Sequence, residues 1–165
     1  MGVSIQEIND MDVSEFTKTL GWVFEGSPWV AENAWKSGPF RSRDHLLEAM
    51  VTTVKDAGES LQISILRAHP DLGAKIKMSD LSKEEQAGAG LDRLSKEEFE
   101  EFRLHNQIYV EKFGFPFIMA VRSKGKETIL SEMKERVCNA YEDEWDKAFK
   151  EVFKIASIRL TDMIL

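Results

Sequence analysis

Residues 141–165 read YEDEWDKAFKEVFKIASIRLTDMIL, and this C-terminal stretch decides the fold class. Its apolar side chains return at alternating spacings of three and four, which is the period of one face of an α-helix. The stripe consists of Trp145, Phe149, Val152, Ala156 and Met163. The pattern predicts a single long helix from Tyr141 to the end of the chain.

The same helical period recurs through the rest of the chain, and no alternating strand pattern is longer than a few residues. Further helices are predicted at residues 13–21, 28–37, 43–56, 60–68, 83–88, 96–113 and 126–139. Ser42, Ser82 and Ser95 stand at positions typical of N-caps, and Gly114 stands where a left-handed residue would end a helix. A length of 165 residues suits one domain. We therefore predict one all-α domain over residues 1–165, a helical bundle with a long C-terminal helix.

Composition and charge exclude several classes of function. Lys and Arg number 22 against 29 Asp and Glu, and no basic run offers the electrostatic footprint that nucleic acid requires. The longest apolar run, residues 115–121, is too short to span a bilayer. Cys138 stands alone, and the histidines lack the spacing of metal ligands. We expect a cytoplasmic protein that binds no nucleic acid, membrane, metal or cofactor.

The segment His69–Pro70–Asp71 is the first candidate site. A residue before proline is displaced from the α region, so the preceding helix should end near Ala68 and leave His69 in a stiffened, extended conformation. One interpretation is a histidine that caps the last carbonyls of that helix. The other uses its pKa near neutrality and its fixed position for general acid/base chemistry, with Asp71 able to orient the imidazole.

The second candidate site lies at a predicted helix start. Ser82 followed by Glu85 has the form of a capping box, in which Ser82 is the N-cap and Glu85 reaches back to its amide. Ser95 and Glu98 repeat this pattern and are assigned to capping alone. The first copy differs because small Gly and Ala residues follow it, and these would let a ligand approach the backbone.

Three further features lie in predicted apolar regions. Arg159 falls on the apolar stripe of the last helix, so it either snorkels to the surface or needs an anionic partner from the protein or a ligand. Residues 115–121 form an apolar loop, which either fills the core or offers open backbone N–H and C=O groups to a small heterocycle rich in amides. On the stripe of helix 96–113, Asn106 is expected to make a buried structural hydrogen bond.

Four short motifs, in this order and at these separations, resemble the OHCU decarboxylases, the 2-oxo-4-hydroxy-4-carboxy-5-ureidoimidazoline decarboxylases of urate breakdown. The resemblance covers nearly the whole chain and rests on His69–Leu72, Glu85–Gln86 with Gly88–Leu91, Phe113–Ile118 and Ile158–Leu160. The first motif departs slightly, since Gly73 follows directly where an alanine is expected before the glycine. That order resembles bacterial members joined to urate oxidase, which implies fusion to or association with that enzyme.

The resemblance implies an all-helical homodimer that converts a small ureidoimidazoline substrate to (S)-allantoin and carbon dioxide. His69 would be the catalytic acid/base, and Glu85 would be its partner and would also contact the substrate. Arg159 would meet the polar periphery of the substrate, and the other surrounding residues would be Pro70, Ser82, Lys83, Glu84, Gln86, Phe117, Ile118, Met119, Ala120 and Val121. The carbon that bears the carboxylate is adjacent to a ring C=N, so the substrate supplies its own electron sink and no cofactor is implied.

Two alternatives compete with the decarboxylase, one from another class of protein and one a different enzyme. A small helical binding or regulatory module could act through a groove formed by Trp22, Trp29 and Trp35. An unrelated cofactor-free lyase or hydrolase could use His69 and Glu85 on a different substrate. An assay with freshly generated ureidoimidazoline substrate separates both alternatives from the decarboxylase.

Overall fold

The computed structural model describes residues 2–73 and 80–165, except for the side chains of Asp80 and Leu81. Within those ranges the chain is helical and forms no β-structure apart from a parallel bridge between Val3 and Ile164, so the predicted all-α class is confirmed. No helix in those ranges carries an apolar stretch of the length that crossing a bilayer requires. The elements are α1 (Ile5–Asn9), α2 (Val13–Leu20), α3 (Trp29–Ala34) with a 3-10 turn at Trp35–Ser37, α4 (Arg43–Asp56), α5 (Glu59–Arg67), α6 (Asp80–Gly88), α7 (Lys96–Phe113), α8 (Lys126–Arg136) and α9 (Tyr141–Met163).

Clear caps and strong periodicity predict several helices correctly. α4 and α7 have the predicted bounds, and α9 begins at the predicted Tyr141. Ser42 and Ser95 cap α4 and α7 by accepting a hydrogen bond from the backbone N–H three residues on, and Glu98 completes a capping box in α7. Gly114 follows α7 with φ of 78°, in the left-handed region where glycine has no Cβ to clash.

Two helix starts differ from the prediction by more than one residue. The sequence does not predict α1 because five residues are too few to show a period, although Ser4 and Glu7 form a capping box at its start. α6 begins at Asp80, so Ser82 lies inside the helix and is not its N-cap. The capping-box interpretation of Ser82 and Glu85 is therefore wrong, and Glu85 needs another explanation.

The chain divides into two compact units, and its description as one domain over residues 1–165 stays a prediction. The first unit comprises Met1–Ala68 together with Phe153–Leu165. In it α3 packs against both α2 and α4, and Phe16 stacks on Phe40 with 5.8 Å between ring centroids. Backbone hydrogen bonds at Val3 join the two chain ends, because its N–H donates to the Met163 carbonyl and its C=O accepts from the Leu165 N–H.

The second unit comprises His69–Val152. At its centre Tyr109 contacts Phe113, Phe115 and Phe117, with ring centroids 4.6 to 6.0 Å apart. Trp145 of α9 adds an edge-to-face contact with Phe115. Since Phe115 and Phe117 belong to the loop after α7, this apolar loop is part of the core of the unit.

Candidate active site

His69 and Pro70 lie directly after α5 in the second unit. The helix ends at Arg67, as expected just ahead of a proline. The backbone bends at His69, and the side chains of His69 and Pro70 are both half-buried. The helix thus ends ahead of His69 as predicted, and the extended conformation of His69 itself stays a prediction.

Two buried amide side chains hold the loop that follows. Gln86 of α6 accepts a hydrogen bond from Gly73 N–H at 2.9 Å and donates a longer one, 3.4 Å, to the Asp71 carbonyl. Asn106 of α7 donates to the Leu72 carbonyl at 2.9 Å, which confirms its expected structural hydrogen bond. The backbone of three consecutive residues is thus bonded by neutral side chains.

Two residues of this loop have unusual local requirements. Gly73 has φ of +76°, so its conformation favours glycine, and a Cβ there would come within 2.9 Å of Leu94 Cδ1, so that this side chain would have to shift. Burial raises the pKa of Asp71 above its ordinary value. A carboxylate with a raised pKa lowers stability at neutral pH, and such groups are common at functional sites.

α6 presents the second candidate site mainly on one face. Ser82 and Gln86 are buried and Glu85 is half-buried, whereas Lys83 and Glu84 are exposed. Glu85 and Gln86 follow Ser82 at spacings of three and four, so these three residues lie on the same side of the helix. Because Gln86 is bonded to the loop after His69, Glu85 belongs to the helix turn that contacts this loop.

The segment Phe115–Val121 has no regular secondary structure, and all of its residues except Ala120 are buried. Two buried charged side chains bond its backbone. Arg136 of α8 donates from Nη1 to the Ile118 carbonyl at 2.8 Å, and Glu151 of α9 accepts from the Ala120 N–H at 3.3 Å. The sequence predicts open backbone groups along this segment, and the structure corrects that expectation for these two groups.

Met119 lies between the two bonded groups and is only 4% exposed. Within residues 2–73 and 80–165, no hydrogen bond is made to its backbone N–H or C=O. Buried backbone groups are nearly always hydrogen-bonded, so these two are candidates for contact with a bound ligand.

A buried network holds Arg136 itself. Its guanidinium makes a forked contact with the Glu144 carboxylate, with Nε–Oε1 and Nη2–Oε2 distances of 3.0 Å, and lies over the Phe117 ring at 4.4 Å. Tyr109 and Asn139 also donate to this carboxylate. Burial acts to raise the pKa of Glu144, but the hydrogen bonds from Arg136 and Tyr109 outweigh burial and leave the pKa below its ordinary value. Burial, followed by the bond to Glu144, raises the pKa of Tyr109.

Arg159 lies in the first unit, where it has an anionic partner from the protein. The residue is 3% exposed, so the snorkelling alternative is wrong. Nη1 donates to the carbonyls of Trp22 and Val23 at 3.1 and 3.3 Å and lies 3.6 Å from a carboxylate oxygen of Glu25. The contact of Arg159 with a substrate stays a prediction.

Little in the sequence marks Arg136, Glu144 and Glu151 as site residues. Arg136 has the ordinary position of a basic residue in the last turn of a helix. Glu144 stands among other acidic residues in the first turn of α9. The available signal is spacing, because Glu144, Ala148 and Glu151 repeat at four and three and so share one helix face.

The second unit combines a histidine next to a loop held by side-chain amides, a half-buried carboxylate on the helix turn bonded to that loop, and backbone groups at Met119 that no described residue bonds. Such groups can exchange protons with a small polar ligand and hydrogen-bond to it. The described residues include no group of three or more His, Cys, Asp and Glu side chains that could hold a metal ion.

Comparison with known proteins points to one family. A family model described as OHCU decarboxylase matches residues 9–161. The 2-oxo-4-hydroxy-4-carboxy-5-ureidoimidazoline decarboxylase of Halalkalicoccus jeotgali is 44% identical over 161 residues, which cover 98% of this chain and 92% of that protein.

A longer relative and a solved structure extend the similarity. The uric acid degradation bifunctional protein of Bacillus sp. (strain TB-90) is 43% identical over 159 residues, which cover 96% of this chain and 32% of that protein. The crystal structure of (S)-allantoin synthase matches with a TM-score of 0.80 and 30% identity, over 98% of this chain and 54% of that chain. Sequence and fold are thus similar to the same group of proteins.

Proposed function

The chain belongs to the OHCU decarboxylase family, and we infer from this membership that it is a carboxy-lyase of urate degradation. Its substrate is 2-oxo-4-hydroxy-4-carboxy-5-ureidoimidazoline, and its products are (S)-allantoin and carbon dioxide. The observation that carries this proposal is the family match over residues 9–161, with 44% identity to a decarboxylase over 98% of the chain. Similarity to an (S)-allantoin synthase agrees with the product.

We assign the proton transfers to His69 and Glu85. An imidazole and a carboxylate on adjoining elements form a suitable pair for moving protons near neutral pH. The assignment is supported by the contact between their elements, since Gln86, the next residue after Glu85, bonds the loop after His69. It also gives Glu85 a role that the rejected capping box does not.

The proposed chemistry draws its electron sink from the substrate. When the bond to the carboxylate breaks and carbon dioxide leaves, the electron pair moves toward the adjacent ring C=N, which gives an enol-like intermediate. The hydroxyl proton is then removed as the carbonyl forms, and a proton added to one face of the neighbouring carbon gives a single enantiomer. His69 and Glu85 carry out these two transfers. Because no cofactor takes part in this scheme, turnover should survive exhaustive dialysis against a chelator.

We propose that the substrate contacts Pro70, the residues Ser82–Gln86 and the backbone of Phe117–Val121. The N–H and C=O of Met119, which no described residue bonds, are suitable partners for the amides of the substrate, and this supports the assignment. Arg159 keeps its assignment to the polar periphery of the substrate. Arg159→Met tests it through substrate binding, because loss of the bonds of Arg159 to two backbone carbonyls lowers stability whatever its role: weakened binding by the folded variant would support the assignment, and normal binding would contradict it.

The deciding experiment is an assay with freshly generated substrate followed by circular dichroism. The substrate should also decay slowly without enzyme to racemic allantoin, so enzymatic action appears as faster formation of an optically active product. A racemic product formed at the uncatalysed rate would refute the proposed function.

Glu85→Gln tests the assigned carboxylate, and Glu98→Gln, in the capping box of α7 and outside the proposed site, is the matched control. Loss of a general acid/base group lowers turnover by about 100-fold or more, so only the Glu85 variant should lose activity. Near wild-type turnover in Glu85→Gln would remove Glu85 from the catalytic pair.

We also propose a cytoplasmic homodimer that is fused to, or acts beside, urate oxidase. The Bacillus bifunctional protein, of which this chain matches about a third, supports the link to a second urate-degrading activity. Sedimentation at several concentrations measures the oligomeric state, and a strictly monomeric active protein would contradict the dimer.

The binding-module alternative has weaker support. Trp35 is 37% exposed, but its indole N–H already donates to the Met11 carbonyl, and that of Trp22 donates to the Thr19 carbonyl. Family membership favours the enzyme over a tryptophan-lined docking groove. Only the substrate assay distinguishes the decarboxylase from an unrelated lyase that uses His69 and Glu85.

A further inference from the structure

We propose that Arg136 and Glu151 are positioning residues for the reaction, which orient and polarise the backbone N–H and C=O of Met119 for contact with an amide of the substrate. The inference rests on the proposed function, because it takes the Phe117–Val121 backbone as a substrate contact. Neither residue belongs to the site that the sequence predicts.

The argument begins with the backbone of this segment. It has no helix or sheet ladder to satisfy its polar groups, and Pro116 has no N–H to donate. Most of its residues are buried, so water cannot replace the missing ladder throughout. Side chains from other elements must therefore hold it, and Arg136 and Glu151 are the charged ones that do so.

Because peptide units are planar, the bonds made by Arg136 and Glu151 also fix the backbone groups of Met119. The Ile118 C=O and the Met119 N–H belong to one planar trans peptide unit, and the Met119 C=O and the Ala120 N–H belong to the next. Arg136 bonds the first of these units and Glu151 bonds the second. The two side chains thereby fix the directions in which the Met119 N–H and C=O point.

The charges also change how strongly these groups bond. A cation on the carbonyl oxygen of a peptide makes its N–H a better donor, and an anion on the N–H makes its C=O a better acceptor, because chained hydrogen bonds polarise one another. Arg136 is the cation on the carbonyl before Met119, and Glu151 is the anion on the N–H after it. The result is a strengthened donor next to a strengthened acceptor, which matches the donor and acceptor of an amide or ureido group.

The surroundings of Arg136 fit a positioning role. Its guanidinium is fixed by the fork to Glu144 and by the Phe117 ring, so the nitrogen that bonds the Ile118 carbonyl has a set direction. Buried ion pairs are poor evidence for stability alone, since apolar residues of similar volume often serve as well. A requirement for direction and polarity at Met119 explains why charged groups stand here.

The test compares two substitutions at Glu151. Glu151→Met removes the acceptor for the Ala120 N–H, whereas Glu151→Gln keeps an acceptor oxygen and loses only the charge. Ser95→Ala, which removes the cap of α7, is the control for a general loss of stability. The measurements are kcat and KM with freshly generated substrate, and hydrogen exchange of the Ala120 amide.

We expect KM to rise about tenfold in Glu151→Met, the scale of losing one oriented hydrogen bond, with kcat within about threefold of wild type. Glu151→Gln should recover most of this change, and Ser95→Ala should leave both constants unaltered. The Ala120 amide should exchange faster in Glu151→Met whether or not the protein is active. If Glu151→Met does not fold, Arg136→Lys addresses the neighbouring peptide unit, and its KM should rise with kcat largely retained.

The possible outcomes test the inference separately from the proposed function on which it rests. An active wild type with an unchanged KM in the folded Met variant, or with an equal change in Ser95→Ala, would overturn the inference and leave the decarboxylase intact. An Ala120 exchange rate that does not respond would overturn it as well. A wild type that forms no optically active product would refute the proposed function and the inference with it.

Discussion

The two segments on which the proposed site depends are held by different kinds of side chain, neutral in one and charged in the other. Neutral amides of Gln86 and Asn106 bond the loop His69–Gly73, whereas charged side chains bond the segment Phe115–Val121. A fixed charge beside a group that must gain and lose a proton shifts its pKa, and neutral amides hold a loop without adding such a field. A segment that binds through its backbone has no such restriction, and charges there strengthen its donors and acceptors.

The carboxylates of the two regions show the same contrast. Burial raises the pKa of Asp71 in the loop, while Glu144 beside the segment is buried yet has a lowered pKa because Arg136, Tyr109 and Asn139 bond it. The first carboxylate lowers stability at neutral pH, and the second has its burial compensated. The comparison shows that burial alone acts on the carboxylate of the loop, whereas hydrogen bonds compensate the burial of the carboxylate in the network.

The largest effect should come from His69→Asn in the loop. Turnover should fall by about 100-fold or more because a general acid/base is lost, and helical circular dichroism should stay close to wild type. Tyr109→Phe, which removes one bond of the network, is the comparison and should keep most of its turnover. Activity that persists in His69→Asn while stability drops would instead support the helix-capping role of this histidine.

Glu144→Gln should have the largest effect on stability. It leaves Arg136 buried without its counter-charge, and breaking such a pair costs about 3–5 kcal/mol of unfolding free energy. Because the folded pKa of Glu144 is lowered, its contribution is present above the ordinary value of 4.5 and is lost as pH falls through the folded pKa.

Urea unfolding at neutral and acid pH measures both consequences of Glu144→Gln. The variant should lose stability at neutral pH and show a smaller further loss in acid than wild type. Glu142→Gln, at an exposed position in the same helix turn, is the control and should change stability by less than about 0.5 kcal/mol. Equal behaviour of the two variants would contradict the contrast between the regions.

Asn106→Leu should have a smaller effect on stability because the hydrogen bond that it removes comes from a neutral side chain. The Leu72 carbonyl loses its bond in a buried site, which costs about 1–3 kcal/mol. No charge is exposed or removed, so the pH dependence of stability should match wild type. Unfolding curves at two pH values check this, with exposed Gln107→Leu as the control; a changed pH dependence would show that the amide acts on a titrating group.

The smallest effect is expected for Asp71→Asn, and its sign is opposite. Since the folded pKa of Asp71 is raised above the ordinary 3.8, its ionised form is disfavoured in the folded protein as pH rises through that pKa. The variant should therefore be slightly more stable than wild type at pH 7, and this gain should vanish below about pH 3.8. A loss of stability at pH 7 would show that the folded protein needs this carboxylate.

Particular residues show how far the sequence predicts the structure. The helical period and the caps at Ser42 and Ser95 are local, so α4 and α7 have the predicted bounds. Ser82 shows the limit of local patterns, because the same capping signal lies inside α6 when the helix starts three residues earlier than predicted. Arg159 on an apolar stripe indicates either a snorkelling cation or a buried one with an anionic partner, and only the structure selects the second and identifies Glu25.

By itself, the sequence determined the all-α class, the end of α5 ahead of Pro70, and the end of α7 at Gly114, because each depends on residues within a turn or two of one another. Only the tertiary structure decided how the two segments are held. Asn106 bonds a carbonyl 34 positions away, and Glu151 bonds an amide 31 positions away. Such partners depend on how distant helices pack, and many carboxylates and amides along the chain satisfy the local pattern equally well. In the folded core only a few of these side chains lie beside a buried backbone group that needs a partner. Those few are neutral amides at the loop and charged side chains at the segment.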